Sequence, residues 1–300
     1  MARTRDVVVG VIIVVTSLVV LGFFGVAMMG VLSGTGEMDL GGFGSSVGVV
    51  EMYGVMTEAS GRPVIGTLER WQDNNSIKAV VVHVDSPGGQ VAISQEIYDA
   101  ILRLREEKPV VVSMASVAAS GGYYIACAAD RVMANPGTLT GSIGVIMSFH
   151  TVEQLLDKVG IATETIKSGE LKDVGSYSRK MSRKEELMLQ AVVSDTYEQF
   201  VGVVAEGRGL EVDEVYPLAD GSIFTGMQAY NLGLVDTLGG LYDAIELAAD
   251  LAEIGGTPKV VRPFKRESVS IFDLMGTALG QFSQEVKSLR SGPQLLYLYR

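Results

Sequence analysis

The sequence predicts an α/β fold with parallel strand pairing, preceded by one N-terminal transmembrane helix. Three observations lead there: strand-like apolar runs alternate with helix-periodic segments, the N-terminus carries a long charge-free stretch, and two Gly-rich turns each link a strand-like run to a helix. Three hundred residues with 47% hydrophobic content can bury a full core, as one large domain or two modest ones.

From Val7 to Leu32 the chain runs 26 residues without a charge. That exceeds the ~20 needed for a helix to cross a bilayer. A cleaved signal peptide would have a shorter apolar core, about 7 to 15 residues, followed by a small-x-small site. Arg3 and Arg5 precede the span and the next basic residue is Arg62, so the excess of positive charge places the N-terminus in the cytoplasm and the remainder outside. Residues 1–32 are therefore expected to form a cytoplasmic tip and an anchor in membrane lipid, with lipid contact over residues 7–32. Residues 33–46 (SGTGEMDLGGFGSS) read as a Gly/Ser-rich tether.

The folded part is expected over residues 47–265. Strand-like runs start at Val47 (VGVVEMYG), Lys78 (KAVVVHVDS), Pro109 (PVVVSMAS) and Asp130 (DRVMAN). Between the second and third, Ile93, Ile97, Ile101 and Leu104 share one face of a helix over Val91 to Glu107. GVIMSF, before His150, and Thr163 to Lys167 (TETIK) also read as strands. A longer helix follows Ser182, which forms a capping box with Glu185, and is expected to stop at Gly207. Residues 266–300 read as a C-terminal amphipathic helix and tail, packed on a neighbour or the membrane surface, or poorly ordered.

The formal charge of -11 excludes a phosphate-tracking nucleic-acid surface. One cysteine, Cys127, and two histidines, His83 and His150, supply no zinc constellation, so neither metal nor cofactor is expected.

The two Gly-rich turns carry the chemistry. Asp85-Ser-Pro-Gly-Gly follows KAVVVHV; its glycines allow outward-pointing amides, as in an oxyanion pocket, although a plain strand-to-helix turn has the same look. Ala118-Ala-Ser120-Gly-Gly-Tyr-Tyr can expose a serine hydroxyl while the Gly121 amide faces the same space, although small-residue serines also serve close helix contacts. A nucleophilic serine needs a base. His83 sits in a valine-rich strand, which reads as a core histidine, and His150 has no serine motif beside it. A buried lysine of lowered pKa is the next option. Lys158, Lys167, Lys180, Lys184 and Lys287 lie in mixed polar segments. Lys172 lies in a loop after TETIK, where the default reading is an exposed lysine paired with Asp173 or Glu170.

Together these motifs resemble the signal peptide peptidase A family in its short membrane-anchored form, related in fold to Clp protease and the crotonases. The resemblance rests on Asp85-Ser-Pro-Gly-Gly, Ala119-Ser120-Gly-Gly-Tyr-Tyr, Thr140-Gly-Ser-Ile-Gly-Val, Lys167-Ser-Gly-Glu-Leu-Lys172-Asp and the run from Thr225 to Gly240, and it extends from about Val47 to Ile254. It implies a repeated β-β-α superhelix and a serine endopeptidase with Ser120 as nucleophile and Lys172 as general base. It further implies Gly89 and Gly121 as oxyanion donors, Gly88 setting the turn, and Ser142 orienting the lysine. The substrates implied are signal-peptide remnants or other short extended peptides, cleaved on the extracytoplasmic side by a homo-oligomeric ring. Rival readings are a stomatin-partner protease of the same fold, a crotonase-like acyl-thioester enzyme and an inactive scaffold. The Lys-Ser-Gly-x-x-Lys-Asp segment, the anchor and the filled dyad positions count against them.

Overall fold

The computed structural model describes residues 15–22, 45–263 and 296–298. It separates into two units, Met1–Phe43 and Gly44–Arg300. In the first, residues 15–22 form a helix (α1) with Val15, Leu18, Val19, Val20 and Leu21 exposed. Among the described residues no helix is long and apolar enough to cross a membrane. The rest of the expected span, nearly all of the tether and residues 266–295 lie outside the described residues.

The second unit is built on a mixed sheet. Three long parallel strands form its centre: β1 (Ser46–Tyr53), β2 (Ile77–Ser86) and β4 (Val110–Ala119), with β2 in the middle. Helix α2 (Glu58–Gln72) links β1 to β2; the short β3 (Gly88–Gln90) and α3 (Val91–Arg105) link β2 to β4. Along its free side β4 changes partner: Val111–Met114 pair with β5 (Arg131–Ala134), whereas Val117–Ala119 pair with β6 (Leu139–Gly141). Antiparallel β7 (Ile223–Thr225) extends β6, while β8 (Thr237–Leu238) extends β5 and β9 (Lys259–Val261) extends β1.

The valine runs follow from burial on both faces of a parallel sheet. Because side chains alternate along a strand, Val80, Val82 and Val84 pack with α2, α3 and α4 (Gly121–Ala126), and Ala79 and Val81 enter a second core. That second core is covered by Ala244, Ile245, Ala248 and Ala249 of α9 (Leu241–Leu251). Full burial of each such valine side chain contributes about 1.5–3 kcal/mol. A mixed α/β sheet of this kind agrees with the α/β part of the predicted fold class and is consistent with a Clp protease or crotonase-like fold, whereas the predicted transmembrane helix is not shown among the described residues.

The long helix α6 (Arg183–Arg208) starts at the predicted Ser182–Glu185 capping box. It runs past Gly207, which packs against Cys127, and ends at Gly209 in the left-handed conformation. Sequence reading passed over α2, whose start is fixed by a Thr57–Ser60 capping box. Two further expectations differ. GVIMSF and TETIK do not form strands; the chain between β6 and α6 holds α5 (Glu153–Lys158) and a 3-10 turn, Glu170–Asp173. A strand needs an edge to pair with, and Ile146 of the first run and Ile166 of the second are instead exposed.

Candidate active site

Ser120 stands at the corner where β4 ends and α4 begins. Its backbone, φ 53 and ψ -116, lies in a region that L-residues seldom occupy, and two hydrogen bonds hold it there: Ser120 N donates to Gly141 O at 2.8 Å, and Tyr124 N to Ser120 O at 2.8 Å. Anchoring below the corner is rigid. Tyr123 and Tyr124 of α4 are buried, Tyr123 Oη donates to Leu234 O at 2.9 Å, and the Tyr124 ring meets Phe200 of α6 edge-on at 5.1 Å. The Ser120 hydroxyl is enclosed, and it is the one buried side-chain polar atom among the described residues without a hydrogen-bond partner. Such a group costs stability, which calls for a functional reason to keep it.

The space around this hydroxyl is framed by glycines that could be nothing larger. A Cβ on Gly121 would come within 2.8 Å of Ser94 Oγ and 3.2 Å of both Gly88 Cα and Gly89 N. One on Gly89 would lie 2.2 Å from the Met56 carbonyl oxygen. Gly88 makes the turn at φ 98, and its N–H donates to Ser86 Oγ at 3.1 Å. Met56 N donates to Gly88 O at 2.8 Å and Gln90 N to Met56 O at 2.9 Å. Those bonds occupy one edge of β3, so strand alternation turns the Gly89 N–H and C=O to the other edge. Gly121, as the first residue of α4, has no intrahelical acceptor for its N–H. Gly121 thus leaves an amide near Ser120, while the Gly89 amide faces the other edge of β3.

That other edge of β3 carries an extended segment: β10 (Leu296–Leu298) pairs antiparallel with it, Leu296 against Gln90, Tyr297 against Gly89 and Leu298 against Gly88. A peptide backbone therefore fits beside the serine corner.

Ser142 lies one residue beyond Gly141, whose carbonyl accepts from Ser120 N, and is itself held at φ 49 with its N–H on Ser222 O at 2.7 Å. Thr140 Oγ1 ties the same run to Ala118 O at 2.7 Å. The structure thus gathers Ser120, Gly88, Gly89, Gly121 and Ser142 into one place. Lys172 is elsewhere, exposed on the 3-10 turn, and within the protomer it is not hydrogen-bonded to Ser120 Oγ.

His83 is half-buried, its Nδ1 lies 3.2 Å from Ser113 Oγ, and its ring meets Tyr53 edge-on. Burial holds its imidazole below its ordinary pKa, which favours the neutral form. His150 is exposed. Sequence reading missed Met56, Ser86 and Ser94, whose contacts place the glycine strand; the Thr57–Ser60 box just after Met56 was the available signal.

The sequence profile of peptidase family S49 matches residues 103–255, and that of Clp protease matches residues 46–140. A Synechocystis protein named as a protease is 46% identical over 203 residues, 68% of this chain and 73% of its own. One from Methanocaldococcus jannaschii, also named as a protease, is 33% identical over 293 residues, covering 92% and 94% of the two chains. An Enterococcus faecium protein named as signal peptide peptidase SppA is 41% identical over 180 residues, covering 60% of this chain and 52% of its own. With a family profile and two long matches in agreement, the chain belongs to peptidase family S49 and is a serine peptidase related to SppA.

Proposed function

We propose that this serine peptidase uses Ser120 as its nucleophile and Lys172 as its general base, that residues 7–32 anchor it in a membrane, and that it degrades signal-peptide remnants or other extended peptides on the extracytoplasmic side. The observation that carries the reading is the unpartnered Ser120 hydroxyl at a strained strand-to-helix corner, next to the Gly89 and Gly121 amides. A residue held in a costly conformation with an unsatisfied hydroxyl has the form of a nucleophile awaiting its base and substrate.

In the first step, neutral Lys172 takes the proton from Ser120 Oγ as the oxygen bonds to the scissile carbonyl carbon, and the two amides hold the negative oxygen. The protonated lysine then gives its proton to the leaving amine, the C–N bond breaks and an acyl-enzyme remains. Water, deprotonated by the same lysine, adds to the ester, and the serine leaves with the proton returned to it. The β10 pairing supports an extended substrate, since any backbone can supply the same ladder while alternate side chains meet pockets.

An exposed Lys172 and an unpartnered Ser120 support assembly of the dyad between subunits of a homo-oligomeric ring. The segment that bears Lys172 also exposes Ile146, Leu155, Val159, Ile161 and Ile166, apolar surface that a neighbouring copy would cover. Ser120→Ala and Lys172→Ala are each expected to abolish peptide cleavage with the assembly intact by sedimentation. Full cleavage by Lys172→Ala would remove the lysine from the mechanism.

A further inference from the structure

The turn that carries Lys172 is crowded with carboxylates. Glu170 and Asp173 flank the lysine in the turn, and the first turn of α6 adds Glu185 and Glu186. Each already has a cationic partner: Glu170 pairs with Lys184, Glu186 with Arg183 at 3.1 Å, and Asp173 Oδ1 with Lys167 Nζ at 2.6 Å. Arg179 joins two of them. Its Nε and Nη2 grip Asp173 at 3.1 and 2.9 Å, while its Nη1 lies 2.9 Å from Glu185 Oε2 and its Nη2 also meets Glu185 Oε1. Glu185 is 2% exposed and accepts from Ser182 N at 2.7 Å, so it is fixed to the head of α6, a helix rooted in the core through Phe200, Val201 and Val204. Lys172 itself makes no ion pair among the described residues.

We infer that Arg179 is a positioning residue for Lys172: it ties the lysine's turn to the head of α6 and holds the Asp173 carboxylate in a closed ion cluster, so that the adjacent lysine reaches the active site without a counter-ion. The inference rests on Lys172 being the base. A base must be neutral to accept a proton, and a carboxylate within about 4–6 Å of an ammonium raises its pKa by about 1–3 units. Arg179 and Lys167 hold the Asp173 carboxyl well below the usual carboxylate range, and once released it would still be charged at any working pH, because an ordinary Asp titrates at about 3.9. The cluster therefore turns the nearest anion away from the group it would otherwise disable. This is a separate effect from fastening the loop.

The test is the pH dependence of kcat/KM for peptide cleavage in Arg179→Met, Asp173→Asn, the double variant and Lys172→Ala. In Arg179→Met the acid limb is expected to move up by about one unit, a tenfold loss on the acid side with recovery at higher pH. Adding Asp173→Asn is expected to return the limb to its wild-type position although the fastening is still absent, and Asp173→Asn alone should leave the limb in place. Equal loss at all pH values in Arg179→Met, or no return in the double variant, overturns the inference and leaves Arg179 a purely structural clamp. Should Arg179→Met fail to fold, Lys184→Met releases Glu170 on the exposed side of the turn; a smaller upward shift is expected, and an unmoved limb counts against the idea. Lys172→Ala separates the two layers. If it is inactive and the limb in Arg179→Met stays put, only the positioning role fails; if it remains active, the base assignment fails and this inference with it.

Discussion

At Ser120 two energetic debts coincide. The left-handed backbone costs about 1–3 kcal/mol, and a buried hydroxyl without a partner costs a similar amount. Ser120→Ala removes the second and Ser120→Gly removes both, so each variant is expected to melt at or above the wild-type temperature, with glycine the higher, while cleavage is lost. A fall in melting temperature for both would mean that the corner is not strained. At Gly89 the sign is opposite. A Cβ there meets the Met56 carbonyl at 2.2 Å, so Gly89→Ala must displace β3 and should reduce kcat/KM by a factor on the order of 10²–10³, the loss typical of one oxyanion donor. The residue order Ala-Ser-Gly-Gly after a valine run made this corner legible in advance. Its strain was not legible, because it is imposed by Gly141, a residue that reaches Ser120 through the pairing of β4 with β6.

Among the elements, the head of α6 and the terminal strand β10 each give a measurable outcome. Arg179 and the Ser182 amide lower the Glu185 carboxyl from 4.5 to about 2. A depressed carboxylate stabilises the fold above its unfolded pKa, and that contribution fades as the pH falls through its folded value. Wild-type stability should therefore decline between about pH 4.5 and 2, and Glu185→Gln should be less stable at neutral pH and flatter across that window. Circular dichroism melts over the range would show it; parallel curves for the two proteins would argue against the cluster. β10 lies on the edge of β3 where a substrate strand is proposed to bind. Removing residues 296–300 is expected to lower KM with kcat unchanged, because an internal occupant reduces the free fraction of the site. The head of α6 and the valine strands were legible because a capping box and two-faced burial act locally. TETIK and GVIMSF were not, because β-rich composition describes what a strand tolerates and leaves open whether an edge is available. The Arg179 cluster escaped notice for a related reason: in sequence it is a scatter of charges in a polar segment, and it becomes one unit only when the turn brings them together.

For the whole molecule the question is how Ser120 and Lys172 meet. The serine's place could be argued from local sequence, whereas the lysine was reached through elimination of the histidines and family resemblance, and in one protomer it stays exposed. The proposed ring assembly would reconcile the two, since it would cover the exposed apolar side chains near Lys172 and bring a base to a hydroxyl that lacks a partner. The proposed membrane anchor gives a further outcome. A reporter fused at Arg300 is expected to be active only if it functions outside the cytoplasm, and activity of a cytoplasm-dependent reporter there would reverse the orientation. The most direct measurement mixes two inactive proteins, Ser120→Ala and Lys172→Ala, and allows them to co-assemble. If the dyad forms between subunits, mixed rings regain peptide cleavage that neither parent shows; if mixed rings form and stay inactive, Ser120 and Lys172 do not complete each other across the interface.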